Sequence, residues 1–265
     1  MPEGDTVYRA ARLLDRSLSG QVLTRTDFRV PQHATADLAG GTMIGTVSRG
    51  KHLLTRIDGE QAWTLHTHLK MEGSWRVFDQ GRRWSRSAHQ ARVVLETARK
   101  VAVGFSLGIV ELLPRDREGD AVGHLGPDLL GPDWDEEEAL RRLRADPARP
   151  VGPALLDQRN LAGVGNMYMA ELCFTSGVHP RTPVGEVPDL TRLVRRAKQM
   201  LELNKERAVQ STTGDLRERE RMWVFRRDRS PCRRCGTPVA VAMLGEPGRE
   251  RAAYWCPSCQ PDPRA

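Results

Sequence analysis

Four cysteines near the C-terminal end constrain this chain more than any other feature: Cys232-x2-Cys235, then twenty residues, then Cys256-x2-Cys259. Two CxxC turns bring four thiolates to the corners of a tetrahedron, the closed coordination of a structural zinc ion with no position left for a substrate. One structural zinc ion is therefore expected, as a staple and not as a catalyst. The segment around it has few large apolar residues, so metal binding, worth about 10 to 16 kcal/mol in small zinc modules, would supply most of its folding energy. The fifth cysteine would be left over in a disulfide framework, which favours a metal site in a reducing compartment. That residue, Cys173, lies in an apolar helical stretch and reads as a core side chain.

The chain of 265 residues is long enough for two compact domains. Its first residues, MPEGDTVYRAARLLDRSL, mix charges among the apolar positions and do not read as a secretory signal. No later stretch approaches the ~20 apolar residues needed to cross a bilayer. A soluble, cytoplasmic protein with no membrane partner is expected. The net charge of +7 is concentrated: residues 190 to 234 hold 14 lysines and arginines against 6 acidic residues, a local surplus of +8. Such a stretch suggests a polyanionic partner, although a solvated arginine-rich helix face has the same composition.

From Asp5 to Leu18 the apolar residues Val7, Ala10, Ala11, Leu14 and Leu18 follow a helical period, with Asp5 placed as N-cap and Gly20 as the stop. Residues 21 to 113 lose that period and alternate, as in VLTRTDF, LLTRID, AWTLHTH, ARVVLET and VAVGFS, with a turn at Arg49-Gly50-Lys51. This half is expected to be mostly antiparallel sheet. The segment Leu125 to Asp135 carries two Gly-Pro steps and reads as a linker. Beyond it Asp133, followed by Glu136, suggests an N-cap ahead of ALRRLRA, and the pattern stays helical through ALLDQ, YMAELCF and LTRLVRRAKQMLELN.

Several motifs, in order along the chain, resemble those of the formamidopyrimidine-DNA glycosylase and endonuclease VIII family. Pro2-Glu3 in PEGDT is similar to the start of these proteins, and Gly4 to the bacterial endonuclease VIII branch. SRGKHLL resembles the turn that presents a phosphate-contacting lysine, here Lys51. HLKMEGSWRV resembles the loop that fills the gap left by a flipped base, with Met71 as wedge. LLDQRNLAGVGNMYMAEL looks like the helix-two-turn-helix, with Asn166 at the position that binds the DNA backbone. ERAAYWCPSCQ resembles the zinc β-hairpin, with Arg251 matching the arginine that shares that phosphate. These motifs run from residue 2 to residue 260.

The resemblance implies an α+β multidomain fold: an N-terminal antiparallel β-sandwich with a flanking helix (residues 1–125), a linker (126–134), a helical helix-two-turn-helix domain (135–221) and a four-cysteine zinc β-hairpin finger (222–265). It implies a bifunctional DNA glycosylase and AP lyase, monomeric and nucleoid-associated, acting on damaged DNA. Pro2, freed by removal of Met1, would be the nucleophile. Glu3 would protonate the opening sugar ring, and Lys51 would serve both the catalytic centre and DNA binding. An α-amine near pKa 8 is neutral in roughly one molecule in ten at pH 7, against fewer than about one in a thousand for a lysine near 10.4. Proline's secondary amine is intrinsically somewhat more basic than that reference, and the positive end of the following helix is expected to push its pKa down again.

Two departures shape the expectation. Asp5-Thr6 stands where many relatives have Pro-Glu, so the second glutamate that assists there is absent. The stretch from Thr213 to Met222 is short and lacks the long loop that caps an oxidised purine, which favours oxidised pyrimidines and abasic sites. A non-catalytic DNA-binding or lesion-sensing protein with the same zinc finger is the alternative. It would need no free Pro2. His66 and His68 share one face of a predicted strand and are read as structural.

Overall fold

A computed structural model describes residues 2–245, 248 and 250–264 and divides the chain into two compact units that meet at His124 and Leu125. The N-terminal unit starts with helix α1 (Gly4–Leu18) and continues with eight strands. These are β1 (Leu23–Phe28), β2 (Thr42–Arg49), β3 (His52–Asp58), β4 (Trp63–His68), β5 (Ser74–Asp79), β6 (Ala91–Thr97), β7 (Lys100–Phe105) and β8 (Ile109–Pro114), followed by the short helix α2 (Glu118–Val122). They form two antiparallel four-stranded sheets, ordered β1-β6-β7-β5 and β2-β3-β4-β8. The expected sandwich with a flanking helix is present. Alternation explains its layers: Leu53, Ile57, Leu65 and Val110 point inward with Leu23, Val93, Leu95 and Ala102, and Leu14 and Leu18 of α1 join the same core.

Helix α1 also protects the sheet edge. β2 is an edge strand, and the Asp15 carboxylate accepts the Thr46 backbone N–H at 3.1 Å, satisfying a donor that no neighbouring strand can reach. The helix begins two residues before the expected start. Its N-cap is Glu3, in extended backbone, whereas Asp5 lies inside the first turn, buried at the helix's positive end. Gly20, with φ of 77°, ends it by taking a left-handed conformation that a side chain would strain.

The C-terminal unit contains α3 (Glu136–Arg144), α4 (Val151–Leu156), α5 (Asn166–Ser176), α6 (Leu190–Asn204) and the hairpin β9 (Ala240–Leu244) with β10 (Arg251–Trp255). The cap of α3 is Asp135 and not Asp133: the Asp135 carboxylate accepts the Glu138 N–H at 3.0 Å, the third-position contact that Asp133 is too far upstream to make. The Gly-Pro segment is hydrogen-bonded into this unit. Gly126 donates to the Gln158 carbonyl, Leu129 donates to that of Ala162, and Leu129 is fully buried.

Helix α5 is buried all round, from Met167 to Phe174, as befits a central helix. Cys173 is fully enclosed, and burial pushes its thiol up to about 12, so it is the inert core residue expected. Within this apolar helix Glu171 is also fully buried. Its carboxylate accepts the backbone N–H groups of Trp223, Val224 and Phe225, each at 2.8 Å, and the Thr212 hydroxyl. One charge thereby gathers the chain that leads into the cysteine module. Glu171→Ala would leave three amide donors without partners and should cost about 3 kcal/mol or more. Urea unfolding of the C-terminal unit, followed by circular dichroism, should show a clearly lower midpoint.

Candidate functional site

In the N-terminal unit, Pro2 is half-buried and immediately precedes the cap of α1, and the Glu3 side chain is fully buried. Met1 lies outside the described residues. Pro2 therefore sits at the positive end of a fifteen-residue helix.

Lys51 occupies the β2–β3 turn, where Gly50 takes a φ of 57°. Its neighbour His52 pairs with His68 across β3 and β4, so the Lys51 turn and the loop that follows β4 emerge at the same end of the sheet. That loop is pinned at both sides. Leu69 is buried, Gly73 donates to the Leu69 carbonyl at 2.9 Å, and a Cβ at Gly73 would come within 2.3 Å of that oxygen. Lys70, at a φ of 51°, donates its N–H to His68 Nδ1 at 2.8 Å. Between these anchors Met71 is 62% exposed, an apolar side chain held out in solvent and not a core residue.

His66 and His68 belong to a larger cluster. His52 Nδ1 meets His66 Nε2 at 2.8 Å, and His66 Nδ1 meets Glu111 Oε2 at 2.8 Å. The His52 and His68 rings pack edge to face, and His124 stands across from His52. Burial lowers His52 to about 3 and His68 to about 4. Neighbouring basic side chains oppose protonation and add to both shifts: His68, His66, His124 and Lys70 around His52, and Lys70, Lys51 and His66 around His68. Both rings are therefore neutral at pH 7.

In the C-terminal unit, α4, the following turns and α5 form the helix-two-turn-helix. Gln158 stitches its loop, donating to the Leu156 and Val164 carbonyls and accepting the Gly163 N–H. Asn166 begins α5 and donates through Nδ2 to the Ala252 carbonyl at 2.8 Å, which brings it beside Arg251 on β10. An amide carries two N–H groups, so one donor is left over at a helix N-terminus, a favourable place for a phosphate. Arg251 lines a groove of about 670 Å³ together with Arg149, Arg159, Arg181 and Arg264. Asp157 sits among these arginines, its carboxyl held far below the ordinary range first by its hydrogen bond from Arg159.

The four cysteines converge. Their sulfurs all lie within 4.8 Å of one another, with separations of 3.4 Å for Cys235–Cys256, 3.6 Å for Cys235–Cys259 and 4.0 Å for Cys232–Cys259. A tetrahedron with metal–sulfur bonds of about 2.3 Å has edges of about 3.8 Å, so the set fits one ion of that size and is too open for disulfides. Each pair is shaped by its own turn. Cys232 donates to the Thr237 carbonyl, Gly236 donates to that of Cys232, and Gln260 donates to that of Cys256. Gln260, fully buried, also accepts the Cys256 N–H and donates to the Val178 carbonyl, tying the second knuckle to the segment after α5.

The basic stretch reads differently in three dimensions. Arg196 donates to the Thr175 carbonyl, Arg227 to that of Trp223, Arg233 pairs with Glu220, and Arg195 pairs with Glu136. Much of that charge holds the unit together. Residues 211–222 close into a compact loop through Thr213, whose hydroxyl donates to the Glu220 carbonyl at 2.6 Å.

Residues 1–106 match the formamidopyrimidine-DNA glycosylase N-terminal domain, and residues 125–215 match the H2TH domain of the same proteins. The chain belongs to the formamidopyrimidine-DNA glycosylase family. It is 57% identical to the probable endonuclease 8 2 of Streptomyces coelicolor, over 99% of this chain and 95% of that protein. It is 50% identical to the DNA-(apurinic or apyrimidinic site) lyase Nei2 of Mycolicibacterium smegmatis, over 98% of this chain and 99% of that protein. Endonuclease 8 of Escherichia coli is 32% identical, over 98% of this chain and all of the relative. Among solved structures, the Lactococcus lactis family member in complex with DNA containing an abasic site shares the fold. Its TM-score is 0.80 at 22% identity, over 98% of this chain and all of that one.

Two outcomes follow from the geometry. Purified protein should carry one tightly bound metal ion per chain by elemental analysis, and Cys256→Ser should lower that content together with the thermal midpoint. The histidine cluster sets an acid limit. Because His52 and His68 titrate at about 3 and about 4 when folded but near 6.5 when unfolded, the unfolded chain binds more protons between these values. Stability is fully present above pH 6.5 and should fall as the pH drops toward 4 and 3. His52→Gln should flatten that fall in a pH series of thermal melts.

Proposed function

We propose that this chain is a bifunctional DNA glycosylase and AP lyase of base excision repair whose nucleophile is the amine of Pro2. The observation that carries this reading is the Pro2-Glu3 pair at the positive end of α1, in a chain of this family. The Pro2 nitrogen attacks the anomeric carbon of the damaged nucleotide, and the base leaves with the bonding pair and takes up the proton that the nitrogen sheds. Glu3 gives a proton to the sugar-ring oxygen as the ring opens, leaving an iminium between Pro2 and the open sugar. Loss of a proton from the sugar expels the 3′ phosphate, a second elimination expels the 5′ phosphate, and water releases Pro2. One site thus removes the base and nicks the strand.

Reaching the anomeric carbon requires the nucleotide to leave the stack, at a cost of a few kcal/mol that is smaller for damaged bases. Met71, exposed on a pinned loop, fits the role of wedge in the vacated space. Lys51, Asn166 and Arg251 hold phosphates without reading sequence. The compact loop at 211–222 leaves no long cap for an oxidised purine and supports oxidised pyrimidines and abasic sites as substrates. The metal is zinc, a structural ion that keeps β9 and β10, and hence Arg251, in place. The protein works as a monomer on nucleoid DNA.

Borohydride should trap a covalent complex with duplex DNA carrying an abasic site or an oxidised pyrimidine, read as a shifted band on a denaturing gel. Pro2→Gly should remove most of that band. Glu3→Gln should lose base excision while keeping a measurable share of strand cleavage at preformed abasic sites. Absence of trapping on every damaged duplex would rule out the covalent mechanism.

A further inference from the structure

The outward face of the β2-β3-β4-β8 sheet carries a line of three side chains that the reaction above does not use: Glu111 on β8, His66 on β4 and His52 on β3. Register places them together. His66 lies directly opposite Glu111, and His52 is opposite His68, two residues further along β4 on the same face. The contacts are short, 2.8 Å at each step, and His66 is only 2% exposed. The His52 and His66 rings are stacked, with centroids 5.0 Å apart.

The chemistry of the line fixes its protons. An ionised carboxylate can only accept, so His66 Nδ1 donates to Glu111. With Nδ1 donating to Glu111, His66 turns its Nε2 lone pair to His52, whose Nδ1 donates to it. His52 is thereby held with its Nδ1 protonated and its Nε2 bare, one residue from Lys51 at the end of the sheet. Adding one proton at Nε2 turns this atom from an acceptor into a donor without disturbing either hydrogen bond. The charge that results is balanced, through His66, by Glu111.

We propose that His52 is a further phosphate-binding residue of the Lys51 turn, and that His66 and Glu111 are positioning residues that orient its ring and supply the countercharge for its protonated form. The inference rests on the reading that Lys51 binds a DNA phosphate. In the free protein His52 is neutral at pH 7, because burial first, and then the neighbouring His68, His66, His124 and Lys70, oppose its charge, while Glu111 stands beyond His66 in the line. A phosphate arriving at the turn reverses that field. His52 then takes up a proton and donates Nε2–H to a phosphate oxygen, so DNA binding and proton uptake are coupled.

The test is calorimetric titration of the full-length, metal-loaded protein with duplex DNA carrying a tetrahydrofuran abasic-site analogue, in buffers of different ionisation heat. For the wild type, binding should take up protons and tighten as the pH falls from about 8 to about 6, with a slope of up to about tenfold per unit. Glu111→Gln keeps an acceptor for His66 but removes the countercharge. It should bind like wild type at the alkaline end and lose most of the proton uptake and of the gain at the acidic end. His52→Gln should abolish the histidine-linked uptake altogether. Equal weakening at every pH in both variants, or wild-type proton uptake retained in both, would overturn the proposal while leaving the glycosylase reading intact. No binding to the duplex at any pH would overturn the reading of Lys51 and this proposal with it.

Discussion

The C-terminal unit depends on one buried carboxylate. Helix α5 offers no polar face, yet Glu171 in its middle accepts three consecutive backbone N–H groups at 223–225 and a hydroxyl from Thr212. A charge in such a place is tolerable only because its oxygens are filled with donors. The same helix begins at Asn166 and packs Ala170 and Phe174 against Cys232 and Cys256. The N-terminal end of the helix, the loop before the cysteines and the four-cysteine cluster therefore share one reference.

The N-terminal unit solves a different problem. Strand alternation sends Leu53, Ile57, Leu65 and Val110 into the core and places His52, Arg56, Thr64, His66 and Glu111 on the opposite face, where ionisable groups collect. Arg56, for example, makes two 2.8 Å hydrogen bonds to Glu118, which also accepts from Thr64.

Local patterns revealed much of this. The helical period of α1 and α6, the alternation of β1, β3, β4, β6 and β7, and the paired CxxC steps could all be read from the chain, because each arises from residues close in sequence. Caps were displaced: Glu3 and Asp135 serve where Asp5 and Asp133 were expected, since several acidic residues compete at each start and only backbone geometry selects one. Partners far apart were not legible. Nothing local joins Glu171 to residues 223–225, Gln260 to Val178, or His66 to Glu111, so a buried glutamate looked like any helix glutamate. The arginines between 190 and 234 suggested a ligand, but folding brings carbonyls and carboxylates to many of them.

Gln260 has a consequence for the cell biology of the chain. Because it bridges the second cysteine turn to the Val178 carbonyl, and because the cysteines share a core with α5, metal occupancy and the packing of the helical unit form one thermodynamic system. An ion that binds only the folded state contributes stability that grows with the logarithm of its free concentration. For a metal held by the four cysteines, a shortage would reduce repair capacity by unfolding the enzyme while every residue at its N-terminal end remained intact.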